Sequence, residues 1–110
     1  MRRFEWSPAE KKVARAAFEA AWVRECTAIR HEAEVMLKRS SDPVEIWRVH
    51  DYLSRKRREI DDKYDYRYSV LMTVFSRLFA EGWLNLGEIA ALTLEKVAWI
   101  KRSASVRRAD

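Results

Sequence analysis

Five side chains within WRVHDYLSRKRREIDD, residues 47–62, are of types that could do chemistry together: Trp47, His50, Asp51, Ser54 and Arg57. The first question is whether they suit catalysis. An imidazole beside a carboxylate is the raw material of an acid–base pair. On a helix, however, neighbours at i and i+1 diverge, so His50 and Asp51 are not expected to form a dyad. The other histidine, His31, is remote in sequence, and neither belongs to a Glu-x-x-His metal pattern. The chain has no glycine-rich phosphate loop and no nucleophile-plus-base set. A binding protein is expected rather than an enzyme, with no cofactor and no metal.

Recognition of a partner is the chemistry that remains. On a helix these five residues fall within an arc of about 120° and along roughly 15 Å of axis. The apolar stripe of the same helix lies beside them. An aromatic anchor, an arginine and polar neighbours that fix orientation make up the composition of a protein-binding hot spot. The competing account packs Trp47 beneath another helix and leaves Arg57 merely paired with Asp61, as apolar helix residues are usually core.

The elements that position this flank are helical. With 2 Gly and 2 Pro in 110 residues there is too little turn material for an all-β chain. Hydrophobic residues at 48% exclude wholesale disorder, and charged residues at 35% suit long exposed helical faces. Ser7-Pro8-Ala9-Glu10 reads as an N-cap, a first-turn proline and a glutamate reaching back. Asp42-Pro43-Val44-Glu45 repeats that logic. Between them Phe18, Trp22, Cys26, Ile29, Ala33 and Met36 form an apolar stripe on a helix roughly 45 Å long. A helix of that length needs the second helix, and a second copy of the protein, to cover it.

The second helix is expected from Pro43 to Asp62, with Ile46, Val49, Leu53 and Ile60 inward. A third is expected from Tyr66 to Glu81, with Tyr68, Leu71, Met72, Phe75, Leu78 and Phe79 on one face, stopped by Gly82. Asn85 caps a short segment, and Thr93 caps a last helix carrying Val97 and Ile100. The expected fold is all-α, one domain over 1–110. Long antiparallel helices over 8–62 form a dimer interface, a small head covers 63–101, an arm covers 1–7, and a basic tail over 102–110 frays.

Charge and localisation narrow the partner. The net charge is +5, but acids interleave with bases: Asp51–Arg55, Arg55–Glu59, Arg57–Asp61 and Arg58–Asp62 are each four apart. LGEIAALTLEKVAWIKR, residues 86–102, offers a helix-turn-helix outline, yet its second helix carries Val97, Trp99 and Ile100 where base-reading groups should stand. Nucleic acid is therefore not the expected partner. The basic start MRRFEWSPAE has no apolar stretch behind it, no run could span a membrane, and the single Cys26 fits a reducing compartment. A cytoplasmic protein is expected.

Residues 44–86 resemble the fluorescence recovery protein family of cyanobacteria. The resemblance rests on Trp47, His50-Asp51, Leu53-Ser54-x-Lys56-Arg57, Glu59-Ile60-Asp61, Lys63-Tyr64-Asp65, Arg67-x-Ser69-Val70-Leu71 and Gly82-Trp83-Leu84. It implies a homodimer that binds the C-terminal domain of the photoactivated orange carotenoid protein. The dimer would speed return from the red, quenching form to the orange, resting form and so restore phycobilisome fluorescence. It also implies that the partner-binding cluster is Trp47, His50, Asp51 and Arg57. The residues alone leave room for a dimeric adaptor of the same fold with a different client.

Overall fold

The structure, a computed structural model, describes residues 4–109 and is all helical among them. The first residues of the expected arm, 1–3, and Asp110 of the expected tail lie outside the described residues. Five helices follow in order: α1 Pro8–Arg39, α2 Glu45–Lys63, α3 Leu71–Glu81, α4 Leu86–Ile89 and α5 Leu94–Ala109. The molecule is elongated, with extents of 52 × 30 × 23 Å. The α1–α2 hairpin supplies the length, and α3 to α5 gather at one end of it as a head packed on the first half of α1.

The start of α1 follows its sequence closely. Ser7 Oγ accepts the Glu10 amide at 3.1 Å while Glu10 Oε1 accepts the Ser7 amide at 3.2 Å, a reciprocal capping box. Gly82 ends α3 at φ 87°, a left-handed position that costs glycine little, and the Trp83 amide bonds back to Leu78 O at 2.9 Å. Glu88 Oε1 reaches back to the Asn85 amide at 2.9 Å, and Thr93 Oγ1 accepts the Lys96 amide at 3.3 Å, so both expected caps form.

The buried face of α1 is not the expected stripe of large residues. Ala14, Ala17 and Ala21 are almost fully buried and pack against Leu71, Phe75, Leu78, Leu84, Ile89 and Ile100. Small side chains let the helix axis approach the head closely, and the bulky residues are turned elsewhere. Trp22 is 45% exposed. On α2 only Val49 and Ile60 of the expected stripe are buried, whereas Ile46 and Leu53 are exposed. Two helices cannot enclose both apolar faces between them.

Three boundaries differ from the sequence reading. Asp42 does not cap α2 directly: its Oδ1 accepts the Val44 amide at 3.0 Å, closing a turn before the helix begins at Glu45. α3 begins at Leu71 rather than Tyr66, because Tyr64, Tyr66 and Tyr68 run along α1 in an irregular connection. Their alternate spacing brings them together, with Phe18–Tyr66 and Tyr66–Tyr68 centroids at 4.8 and 5.5 Å. The basic tail does not fray but continues α5 to Ala109. Ala104 is buried, and Arg108 donates to Phe79 O at 2.9 Å and Ala80 O at 3.3 Å at the end of α3.

Charged side chains tie the head to the hairpin. Lys96 Nζ, buried, lies 2.8 Å from Glu10 Oε2. Arg24 forks onto Glu88 at 2.7 and 2.9 Å and also donates to Trp83 O at 2.9 Å. Lys63 Nζ, at the end of α2, lies 2.6 Å from both Glu25 Oε2 of α1 and Glu81 Oε1 of α3. Tyr64 completes this junction by donating to Glu25 Oε1 at 3.0 Å. Burial, with Glu25 beside it, pushes the Tyr64 hydroxyl far above its usual titration range. Burial also raises Tyr66, to about 12, with Tyr68 adding to the shift.

Candidate protein-binding surface

The α2 flank carrying Trp47, His50, Asp51 and Arg57 stands in solvent. Trp47, in the first turn of α2, is 65% exposed, so in this chain it does not pack beneath α1. Its ring meets His50 edge to face at 6.3 Å between centroids. His50 Nδ1 lies 3.3 Å from Asp51 Oδ1, which corrects the expectation that the two side chains diverge. Both are exposed, and their freedom lets the imidazole and carboxylate bend toward each other across the helix surface. A solvated contact of this kind orients donors and acceptors.

Arg57 is the most exposed member, with 84% of its side chain accessible, and its Nε lies 3.7 Å from Asp61 Oδ2. That separation is beyond a hydrogen bond, and such surface pairs contribute about 0–1 kcal/mol. The guanidinium can exchange Asp61 for another carboxylate at little cost. The helix brings all four candidates to one side of α2, while Ser54, on the same arc, is half-buried. Among the described residues, no three His, Cys, Asp or Glu side chains converge as metal ligands.

A groove of about 350 Å³ between α1 and α2 adjoins this flank, lined by Trp22, Cys26, Ile29, Leu53 and Ile60, with Lys56, Arg57 and Asp61 at its polar part. Arg57 thus belongs to both features. Burial and the neighbouring Glu25 raise the Cys26 thiol above its ordinary value, so within the groove it acts as a small apolar group rather than a thiolate. Periodicity marked these α1 and α2 side chains as apolar stripes too long for two helices to cover, and the structure gives what they leave open its shape, a concave surface between them.

The sequence reading also missed the residues that hold the flank's helix in place. Glu25 and Lys63 look like ordinary solvated charges in a linear reading. A signal was available: Glu10, Ala14, Ala17, Ala21 and Glu25 share one helical face, and a face otherwise made of buried alanine leaves its two glutamates nowhere but the interior. Burial alone would raise the Glu10 carboxyl, but Lys96 and the Ser7 and Thr93 amides outweigh it and the group titrates below its usual range. Glu81 behaves alike, with Lys63 and Arg77 overcoming burial. For Glu88 the Arg24 fork is the leading cause and lowers it despite partial burial.

Residues 6–104 match the family described as the photoprotection regulator fluorescence recovery protein. The chain belongs to the fluorescence recovery protein family. It is 37% identical over 99 residues to the fluorescence recovery protein of Synechocystis sp. (strain PCC 6803), covering 90% of this chain and 91% of that protein. The solved structure of the Fremyella diplosiphon fluorescence recovery protein superposes with a TM-score of 0.83 at 42% identity, covering 92% of this chain and 99% of that one. The Synechocystis structure gives 0.84 at 37% identity with the same coverage. The family is one of photoprotection regulators, and the all-helical architecture here is that of its solved members. Among the described residues no helix is long and apolar enough to cross a membrane.

Proposed function

We propose that this protein binds the C-terminal domain of a photoactivated orange carotenoid protein and accelerates its return from the red to the orange form, ending phycobilisome quenching. It does so without a chemical step of its own, as a homodimer in the cytoplasm. The contact is made by Trp47, His50, Asp51 and Arg57. The observation that carries this reading is the exposure of Trp47 on α2, beside exposed polar groups, in a chain that belongs to a family of photoprotection regulators.

The dimer is supported by what a single chain leaves uncovered. Trp22, Val23 and Leu37 of α1 and Ile46 and Leu53 of α2 are all exposed, and the α1–α2 groove lies among them. Isologous packing would bury the same side chains in both copies. The mechanism is differential binding. The helper meets surface that only the opened red form presents, and it must hold the closing transition state at least as tightly, or it would trap the red form. The test is dark relaxation of a red orange carotenoid protein with this protein in excess, together with sizing of the mixture. Faster relaxation and a complex support the proposal. Unchanged relaxation with no complex rejects this client and leaves a dimeric adaptor for another.

A further inference from the structure

The far end of α5 is used neither by the α2 flank nor by the ties between head and hairpin. After Glu95 the described part of this helix carries five cations and no carboxylate. Lys96 is buried on Glu10, whereas Lys101, Arg102, Arg107 and Arg108 are exposed. Arg107 and Arg108 lie beyond residue 104, where the family match ends, so family membership does not account for them.

These two arginines meet α3 at a groove of about 250 Å³ lined by Arg77, Ala80, Glu81, Arg107 and Arg108. Two of its guanidinium groups are already fixed. Arg108 lies over the Phe79 ring, its carbon 5.1 Å from the centroid, and donates Nε and Nη2 to the Ala80 and Phe79 carbonyls. Arg77 Nε is held 2.9 Å from Glu81 Oε2. Glu81 is the single carboxylate lining the groove, and it also serves Lys63 and the Trp83 indole. Among the described residues Arg107 has no protein acceptor, and neither has Nη1 of Arg108. Positive charge is therefore in excess, and for Arg77 and Arg108 the ordering cost is largely met within the fold.

We propose that this α3–α5 groove is a docking site for an acidic protein segment carrying adjacent aspartates or glutamates. A guanidinium fork matches a carboxylate in geometry as well as charge. Three arginines around one small groove suit two neighbouring carboxylates. A nucleic acid fits less well. No aromatic ring lines the groove for a base to stack on, and its cations gather at one point between α3 and the end of α5 rather than along a track for a phosphate backbone. The site is on the head, so it stands or falls independently of the α2 flank.

The experiment is fluorescence anisotropy of a labelled polyglutamate peptide titrated with the full-length protein, with competition by unlabelled duplex DNA. Saturable binding that weakens with salt is expected. Arg107→Ala should weaken it about fivefold and Arg107→Ala with Arg108→Ala roughly twentyfold, as removal of partly exposed charge pairs does. Lys38→Ala with Arg39→Ala, which removes equal charge at the exposed end of α1, should leave binding unchanged. Because Arg108 also anchors α5, the decisive variant is Arg107→Ala, whose side chain is exposed and makes no hydrogen bond or ion pair among the described residues. No effect of Arg107→Ala, an equal loss from the Lys38 and Arg39 changes, or displacement of the peptide by DNA would each overturn the proposal.

Discussion

Arg57 and Lys63 lie on the same helix, and each is a cation facing carboxylates, yet they do opposite things. Arg57 stands in solvent with Asp61 at 3.7 Å, while Lys63 is 4% exposed in its side chain and holds two glutamates at 2.6 Å. Water screens the first pair, so it contributes little to folding and the arginine stays available. At the second, Glu25 has given up water and has Lys63 in its place, with Glu81 reaching the same ammonium from the surface, so the fold depends on it. Burial, rather than residue type, separates a residue left free in solvent from a residue the fold depends on. Trp47 and Phe75 make the same contrast among aromatic residues, one 65% exposed and one fully buried.

The largest expected effect is on the buried side. Lys63→Met leaves Glu25 and Glu81 facing each other without their shared ammonium, and should destabilise the chain by about 3–5 kcal/mol. Chemical denaturation measures this, and a loss under about 1 kcal/mol would mean that Glu25 is not held as the structure has it. Next comes the exposed side. Trp47→Ala and Arg57→Ala should each weaken binding to the carotenoid protein by roughly 2 kcal/mol or more, read by titration calorimetry. Dissociation of the homodimer by Trp47→Ala, seen on sizing, would move that residue from the client contact to the subunit interface.

A smaller effect is expected from pH. Glu10, Glu81 and Glu88 all titrate below the ordinary 4.5 in the folded chain. The folded form therefore binds fewer protons than the unfolded one across that window. The stabilisation is fully present above the unfolded value and is lost as pH falls through the folded values. The urea midpoint should hold above about pH 5 and fall below it, and Glu88→Gln should make that fall shallower. The smallest effect is the folding stability of Arg57→Ala, expected within about 0.5 kcal/mol of the parent. A larger shift in a thermal melt would erase the distinction between the two cations.

Much of the fold was legible in linear order. The Ser7 and Thr93 caps, the Gly82 stop and the helical periods are local, because each depends on residues within one or two turns of its own backbone. Boundaries failed where a distant surface outweighed the local preference. Tyr64, Tyr66 and Tyr68 gave up a helical turn to pack along α1, and the tail became helical because α3 offered Arg108 its terminal carbonyls and Ala104 a place to bury. The flank was legible in its residue types, but its exposure was not. The spacing set Val49 and Leu53 inward with Trp47 beside them, yet the fold covers Val49 and leaves Leu53 in solvent with Trp47.

By itself, then, the sequence determined the helices, most of their ends, the family and the candidate recognition residues, since short-range hydrogen bonding and residue identity decide these. Only the tertiary structure decided which face of α1 meets the head, that Lys63 and Lys96 are interior while Arg57 is not, and that a groove opens between α1 and α2. The physical reason is that burial depends on what lies opposite. A helix presents several faces, its apolar pattern marks more than one as eligible, and the choice falls to the partner surface that packs most closely, here a head that fits alanine better than tryptophan.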